Sequence, residues 1–298
     1  MTISQVYDKF IFDKKLAGLT ESSLKDYYYC LKGFISYVSA DLNVGFLTLE
    51  MVQGYILMLL DSGKAKGTIS TYIRYARIFL MYIHNHWQLP FNPTDIVVPK
   101  SPKKKVDILD PEALQHLFWS IKATPEWVAA RNRAIVALML DSGIRQGEVC
   151  SLQIKNVFFT SRKMKVYGKG DKERFVPLGD LAMRYLQKYI EMCPYVIVET
   201  LFLDVKGGML SKNAVRVFMN RLKHSTGLDV TSHKLRHNFA TNFCIDKVEA
   251  GGQVDTYSLK ILMGHESIST TEKYLHCAME ELAVKSSISH LDKISGLP

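Results

Sequence analysis

Five short segments of this 298-residue chain carry side chains whose types and order could do chemistry together. They are Asp141-Ser142-Gly143-Ile144-Arg145-Gln146-Gly147-Glu148-Val149; Tyr167-Gly168-Lys169-Gly170-Asp171-Lys172-Glu173-Arg174; Ser232-His233-Lys234-Leu235-Arg236-His237; Leu262-Met263-Gly264-His265; and Thr270-Thr271-Glu272-Lys273-Tyr274. A phosphodiester carries one negative charge at rest and gathers more on its equatorial oxygens under nucleophilic attack. Two guanidinium forks, here Arg145 and Arg236, are suited to hold it. A tyrosine hydroxyl such as that of Tyr274, with an ordinary pKa of about 10, is a poor nucleophile at neutral pH and needs a proton acceptor in an electropositive surrounding. His233 is the candidate acceptor, and His265 a candidate donor to the phosphate. The oxygen that departs must be protonated, and Lys169, on a turn loosened by its flanking glycines, can deliver that proton.

Each residue taken singly has a plainer explanation, since a lone helical tyrosine usually packs and a hairpin lysine is usually solvated. The order of all six, with Lys169 between the arginines and Tyr274 nine residues past His265, is what is specific. In that order the segments resemble the tyrosine recombinases, the phage-integrase and Xer-type family of DNA strand-exchange enzymes. The resemblance spans essentially the whole chain and is strongest from Val106 to about Cys277. It implies that Arg145 is the first catalytic arginine, in the family's G-L-R-x-x-E context. It likewise implies that Lys169 is the lysine of the β-hairpin, that His233 and Arg236 are the H-x-x-R pair, that His265 belongs to L-G-H, and that Tyr274 is the nucleophile.

By the same resemblance the reaction is site-specific recombination through a 3′-phosphotyrosine, with a deoxyribose 5′-oxygen as leaving group, serving integration, excision or dimer resolution through a Holliday junction. The partner implied is double-stranded DNA, gripped by each two-domain chain as a C-shaped clamp, with a homotetramer assembling on two sites and the free protein a monomer or weak dimer. Segment 279–294, with Leu282, Val284, Ile288 and Leu291, is expected to pack against a neighbouring protomer. The chain opens almost directly on a core-binding domain without a preceding arm-binding one, which suits a Xer-like resolvase or the integrase of a small mobile element. Because a phosphotyrosine conserves the energy of the broken bond, no ATP is expected, and no G-x-x-x-x-G-K-[ST] run is present. No metal-binding carboxylate cluster accompanies the set, so no metal or other cofactor is expected. Glu148 reads as a partner that orients a neighbour, Cys277 as a core residue, and His237 and His276 as structural or phosphate-adjacent. His84 and His86 read as a surface pair at a helix end, without a third ligand.

Two departures from the family pattern stand out. Gln146-Gly147 follows Arg145, and a glycine inside a helix costs about 1 kcal/mol relative to alanine. The stretch from Arg236 to His265 is longer than usual around Asp246 to Asp255, where a longer loop between two helices is expected. One rival reading is a DNA-binding or accessory protein on the same fold that does not use the chemistry; keeping all six positions argues against it. A type IB topoisomerase-like relaxing enzyme is a weaker rival, disfavoured by the separate core-binding domain.

Composition agrees with a polyanionic partner. Thirty-eight Lys and Arg against 29 Asp and Glu give a net charge of +9, and the stretch through Lys105 is the more basic per residue. With 47% hydrophobic and 22% charged residues the chain can bury one large core or two ordinary ones, which excludes a disordered tail. The longest apolar runs, Tyr55 to Leu60 and Ala134 to Leu140, fall far short of the roughly 18 residues of a membrane span. With no secretory leader, a cytoplasmic location is expected. The five scattered cysteines, never spaced C-x-x-C, read as free thiols in a reducing compartment.

The elements that must position the site follow from periodicity. Leu24 to Val38 after Thr20, Met51 to Leu59 after Thr48, and Ile69 to Ile83 after Thr68 predict three helices, making residues 1–100 an all-helical domain, SAM-like and core-binding by the resemblance. A linker over 101–108 is expected from the run of prolines and lysines. Residues 109–298 form the expected catalytic domain. There Asp110-Pro111-Glu112 opens a helix, a core helix runs from about Glu126 to Leu140, and Val157–Phe159, Met164–Tyr167 and Arg174–Val176 make a small three-stranded antiparallel sheet. Ser269-Thr270-Thr271-Glu272 has capping-box spacing and sets Tyr274 early in a helix. The fold class is therefore mainly α, in two domains. Candidate DNA contacts are Lys64, Lys66, Arg74 and Arg77 in the first domain, Lys103, Lys104 and Lys105 in the linker, and Lys172 and Arg174 beside the hairpin turn.

Overall fold

The computed structural model describes residues 1–100, 108–168, 170 and 172–286. Expectations for the linker, for Lys103, Lys104, Lys105 and Lys169, and for residues 287–294 of the C-terminal segment lie outside the described residues. The chain divides into two compact units, Met1–Lys105 and Val106–Pro298.

In the first unit the sequence sets helix starts by hydroxyl caps. Thr20 accepts from Ser23 N–H ahead of α2 (Glu21–Val38), and Thr48 does the same for Met51 ahead of α3 (Leu49–Asp61). The helix after Lys64, α4 (Lys66–Trp87), opens two residues before Thr68 and has no side-chain cap. An additional helix, α1 (Ile3–Leu16), precedes these three, closed by a capping box between Thr2 and Gln5. Its Ile3, Val6 and Phe10 reach the same core as Phe34, Tyr55 and Phe79, with Phe10 edge-on to Phe79 at 5.3 Å between ring centres.

The second unit is built around α6 (Glu126–Ser142), which is buried on nearly every face and packs on α8 (Asp180–Met192). Asp110 caps α5 (Pro111–Trp119). A short helix, α7 (Gln146–Ser151), follows α6 after Gly143 turns the chain with φ +61°. The sheet is antiparallel in the order β1 (Val157–Phe158), β2 (Lys163–Tyr167), β3 (Glu173–Pro177), with Tyr167 opposite Glu173 and Val166 opposite Arg174. After α9 (Lys212–Thr226) come α10 (Ser232–Glu249), α11 (Thr256–Met263) and α12 (Ser269–Ser286). These last three enclose a second apolar cluster of Phe239, Cys244, Leu259, Met263, Tyr274 and Ala278.

Two expectations shift. The chain around Asp246 to Asp255 is helix through Glu249, so the loop between the two helices is confined to residues 250–255. Gly251, at φ +76°, ends the helix while Gly252 N–H returns to the Lys247 carbonyl at 3.0 Å. Ser269 is the first residue of α12 rather than its cap, its N–H donating to Ser267 Oγ at 3.3 Å, and Tyr274 sits in the second turn of the helix. Among the described residues no helix is long and apolar enough to cross a membrane.

Candidate active site

Arg145 occupies the N-cap of α7, where its backbone N–H donates to Glu148 Oε2 at 2.8 Å and its Nη1 to Glu148 Oε1 at 2.9 Å. The same carboxylate receives a fork from Arg174, Nη1 to Oε1 at 2.7 Å and Nη2 to Oε2 at 2.9 Å. Burial pushes the Glu148 carboxyl up, but the donors of Arg174 and Arg145 outweigh it and hold it below the usual range. The Arg145 side chain remains 39% exposed, open to a ligand.

Three arginines converge on the C-terminal end of α11. Arg174 Nε donates to the Leu262 carbonyl at 2.7 Å, Arg236 Nη2 to that of Met263, and Arg145 Nη2 to that of Gly264 at 2.6 Å. These carbonyls have no partner within the helix and lie at the negative end of its dipole, so cations are the natural caps. Gly264 makes the convergence fit. At φ +61°, a Cβ there would stand 3.1 Å from Arg174 Nη1 and 3.2 Å from Arg145 Nη1. Arg236 is 4% exposed and also donates to the Gly143 carbonyl at 2.5 Å. Burial and then the neighbouring Arg145 bring its pKa down to about 10, which leaves it cationic at neutral pH.

His265 follows that capped end directly, with Nδ1 3.0 Å from Oγ1 of buried Thr271. Its ring stacks on Tyr274 at 5.9 Å and 15°, while His237 meets the tyrosine ring edge-on at 4.9 Å. Tyr274 is 2% exposed. Burial raises its pKa even though Arg236 and Arg145 pull it down, so the resting hydroxyl is neutral and needs a base. His233 stands one turn before His237 at the solvent-exposed start of α10. Desolvation first, then Arg236 and Lys273, lower its pKa and keep its ring neutral, the form a base requires.

Arg145, Arg236, His265 and Tyr274 are thus brought together, with His233 beside Arg236. Lys64, Lys66 and Arg74 are exposed, as is Lys172 in the second unit, whereas Arg77 is half-buried and donates to the Ile96 carbonyl at 3.4 Å. Arg174, expected as a DNA contact, is turned into the protein. Its side chain is 9% exposed and its Nε, Nη1 and Nη2 are engaged within the protein. The strand alternation could have told this, because Arg174 shares a face of β3 with buried Val176. His86 Nδ1 pairs with the Tyr82 carbonyl at 2.8 Å, and among the described residues no three His, Cys, Asp or Glu side chains gather to hold a metal.

Buried His237 and half-buried His265 make stability pH-dependent. His265 and His237 are both lowered to about 4, chiefly by burial, from a usual value of about 6.5. The unfolded chain therefore binds more protons between those values, and stability should fall as pH drops from about 6.5 toward 4. Asp229, held near 2 by Lys223 and Lys234, acts below that window. Thermal melts of the free protein from pH 7 to 4.5 should show a falling Tm, with part of the slope removed in His237→Gln; a flat or rising Tm would refute the assignment.

Residues 108–281 match the phage integrase family. The tyrosine recombinase XerD of Staphylococcus aureus is 30% identical over 294 residues, covering 94% of this chain and 96% of that protein. In fold the chain is similar to the Tn1549 transposon integrase in complex with a circular-intermediate DNA, at TM-score 0.75 and 18% identity over 96% of this chain and all of that one. It is also similar to the XerH recombinase bound to a palindromic difH substrate, at TM-score 0.71 and 23% identity over 96% and 84% of the two chains. The chain belongs to the phage integrase family and is a tyrosine-type site-specific DNA recombinase.

Proposed function

We propose that this recombinase cuts and rejoins double-stranded DNA with Tyr274 as nucleophile. The observation that carries this reading is the convergence of Arg145 and Arg236 on the chain end that presents His265, against whose ring Tyr274 is packed. The Tyr274 oxygen bonds to the scissile phosphorus as the bond to the 5′-oxygen breaks, and the phenolic proton passes to His233. Arg145 and Arg236 hold the charge that builds on the phosphoryl oxygens. A Thr271 hydroxyl donating to His265 Nδ1 leaves the imidazole proton on Nε2, ready for the same oxygens. Lys169 protonates the departing 5′-oxygen, and reversal of these steps on a second strand rejoins the DNA through a Holliday junction. The residue set needs no metal and no other cofactor.

Residues 1–100 act as a core-binding domain, with Lys64, Lys66 and Arg74 as contacts to the DNA backbone, and 109–298 as the catalytic domain, joined by the linker with Lys103, Lys104 and Lys105. DNA-bound relatives on this fold support the partner. Four protomers assemble on two sites in the cytoplasm, coupled by segment 279–294. Deleting from Glu280 onward spares Tyr274 and buried Ala278; it should abolish recombination while single-site binding persists, and unimpaired recombination would end the coupling idea.

The test is a plasmid carrying two direct repeats of the site flanking the gene. The wild type should resolve it into two circles and Tyr274→Phe should not. Specific binding without resolution by the wild type would favour the accessory DNA-binding reading.

A further inference from the structure

The Arg174–Glu148 pair behind Arg145 is buried ionic chemistry that strand cleavage by Tyr274 does not itself use. Glu148 is 4% exposed and receives four hydrogen bonds, two on each oxygen, so its acceptor capacity is filled. It cannot turn without breaking charge-assisted bonds to both arginines. Such a buried pair is weak as a source of stability, because desolvation offsets its Coulomb attraction. What it does provide is fixed geometry. Arg174 spans three elements at once, being rooted in β3, forked onto Glu148 of α7 and bonded through Nε to Leu262 at the end of α11.

Charge points the same way. Alone with Glu148, the Arg145 guanidinium would be neutralised by its own partner. With Arg174 sharing the carboxylate, the trio keeps a net positive charge, and the exposed part of Arg145 retains its pull on an anion.

We infer that Arg174 is a positioning residue for strand cleavage: it orients Arg145 through Glu148 and anchors, through Leu262, the helix end that presents His265. The inference rests on the recombinase reading above. Arg174 takes no part in holding DNA, and its removal is felt in the rate at saturation.

The experiment uses the full chain and a nicked suicide duplex built from the sequence flanking the gene. Binding, its salt dependence and the single-turnover cleavage rate at saturating protein are measured for the wild type, Arg174→Gln, Arg174→Lys and Glu148→Gln. Arg174→Gln should bind with unchanged affinity and salt slope yet cleave about 10²-fold more slowly, the loss expected of a misplaced catalytic group. Arg174→Lys keeps the charge but loses the fork, so it should fold and cleave at an intermediate rate. Combining Arg174→Gln with Glu148→Gln should cost less than the two singles together, since both break one network. A salt slope lowered by about one with the saturated rate intact would make Arg174 a phosphate contact and overturn the inference. A lower Tm with the saturated rate intact would make it structural only and overturn the inference equally. If the wild type leaves no adduct either, the recombinase reading falls and takes this one with it; if wild type and variants cleave alike, only this one falls.

Discussion

Arg236→Lys should lower the single-turnover rate of strand cleavage by about 10³-fold, the upper range for loss of one preorganised donor to a developing oxyanion. Lysine keeps the charge but not the planar fork. Arg236 uses one Nη on the Gly143 carbonyl and the other on that of Met263, which orients the guanidinium before any substrate arrives. A lysine ammonium cannot span both carbonyls and face a phosphate as well. DNA affinity should change little, because it is spread over many backbone contacts. The orphaned carbonyl should also cost about 1–3 kcal/mol of stability, which a denaturant melt would register. A cleavage loss below tenfold at saturating protein would show that Arg236 is not the phosphate clamp.

Gly143→Ala should be the most damaging small change in the second unit. The residue sits at φ +61°, and an added Cβ would lie 2.4 Å from Phe239 Cδ1 and 3.0 Å from Met263 Sδ. A left-handed alanine costs about 1–2 kcal/mol and overpacking a further 1–3, so about 2–5 kcal/mol is expected. That is a large part of the 5–15 kcal/mol that typically separates folded from unfolded chains. The same shift would displace the carbonyl that holds Arg236, so activity should fall further than stability alone accounts for. Gly227→Ala is the control in the same unit: its φ is +69°, but nothing lies within 4 Å of the added carbon, so only the backbone cost applies. Equal denaturant midpoints for the two variants would contradict the packing argument.

Local rules explain what was legible in the sequence. Thr20, Thr48 and Asp110 are caps read from a few neighbouring residues, and α2, α3 and α5 start where those caps say. Gly143 ends α6 as the Asp141-Ser142-Gly143 run suggests. α1 escaped notice because only Ile3, Val6 and Phe10 mark its buried face, and they become persuasive only beside the Thr2–Gln5 box. The candidate chemistry-bearing residues are legible as short motifs in a fixed order. The means of their alignment is not, because it is non-local: Arg174 reaches Glu148 across 26 residues and Leu262 across 88. A basic side chain next to Lys172 reads as a surface charge until its carboxylate partner is in view. The turn of Tyr274 into a buried slot between His237 and His265 likewise depends on how α10, α11 and α12 pack.

In the proposed reaction Tyr274 forms the covalent bond to DNA. Its most direct test is peptide mass spectrometry of the product from a nicked suicide duplex incubated with wild-type protein in metal-chelating buffer. A 3′-phosphotyrosyl adduct mapped to Tyr274, absent from Tyr274→Phe, is the result expected. Sequence-specific, salt-sensitive binding of the same duplex with no adduct, or an adduct on another residue, would contradict it.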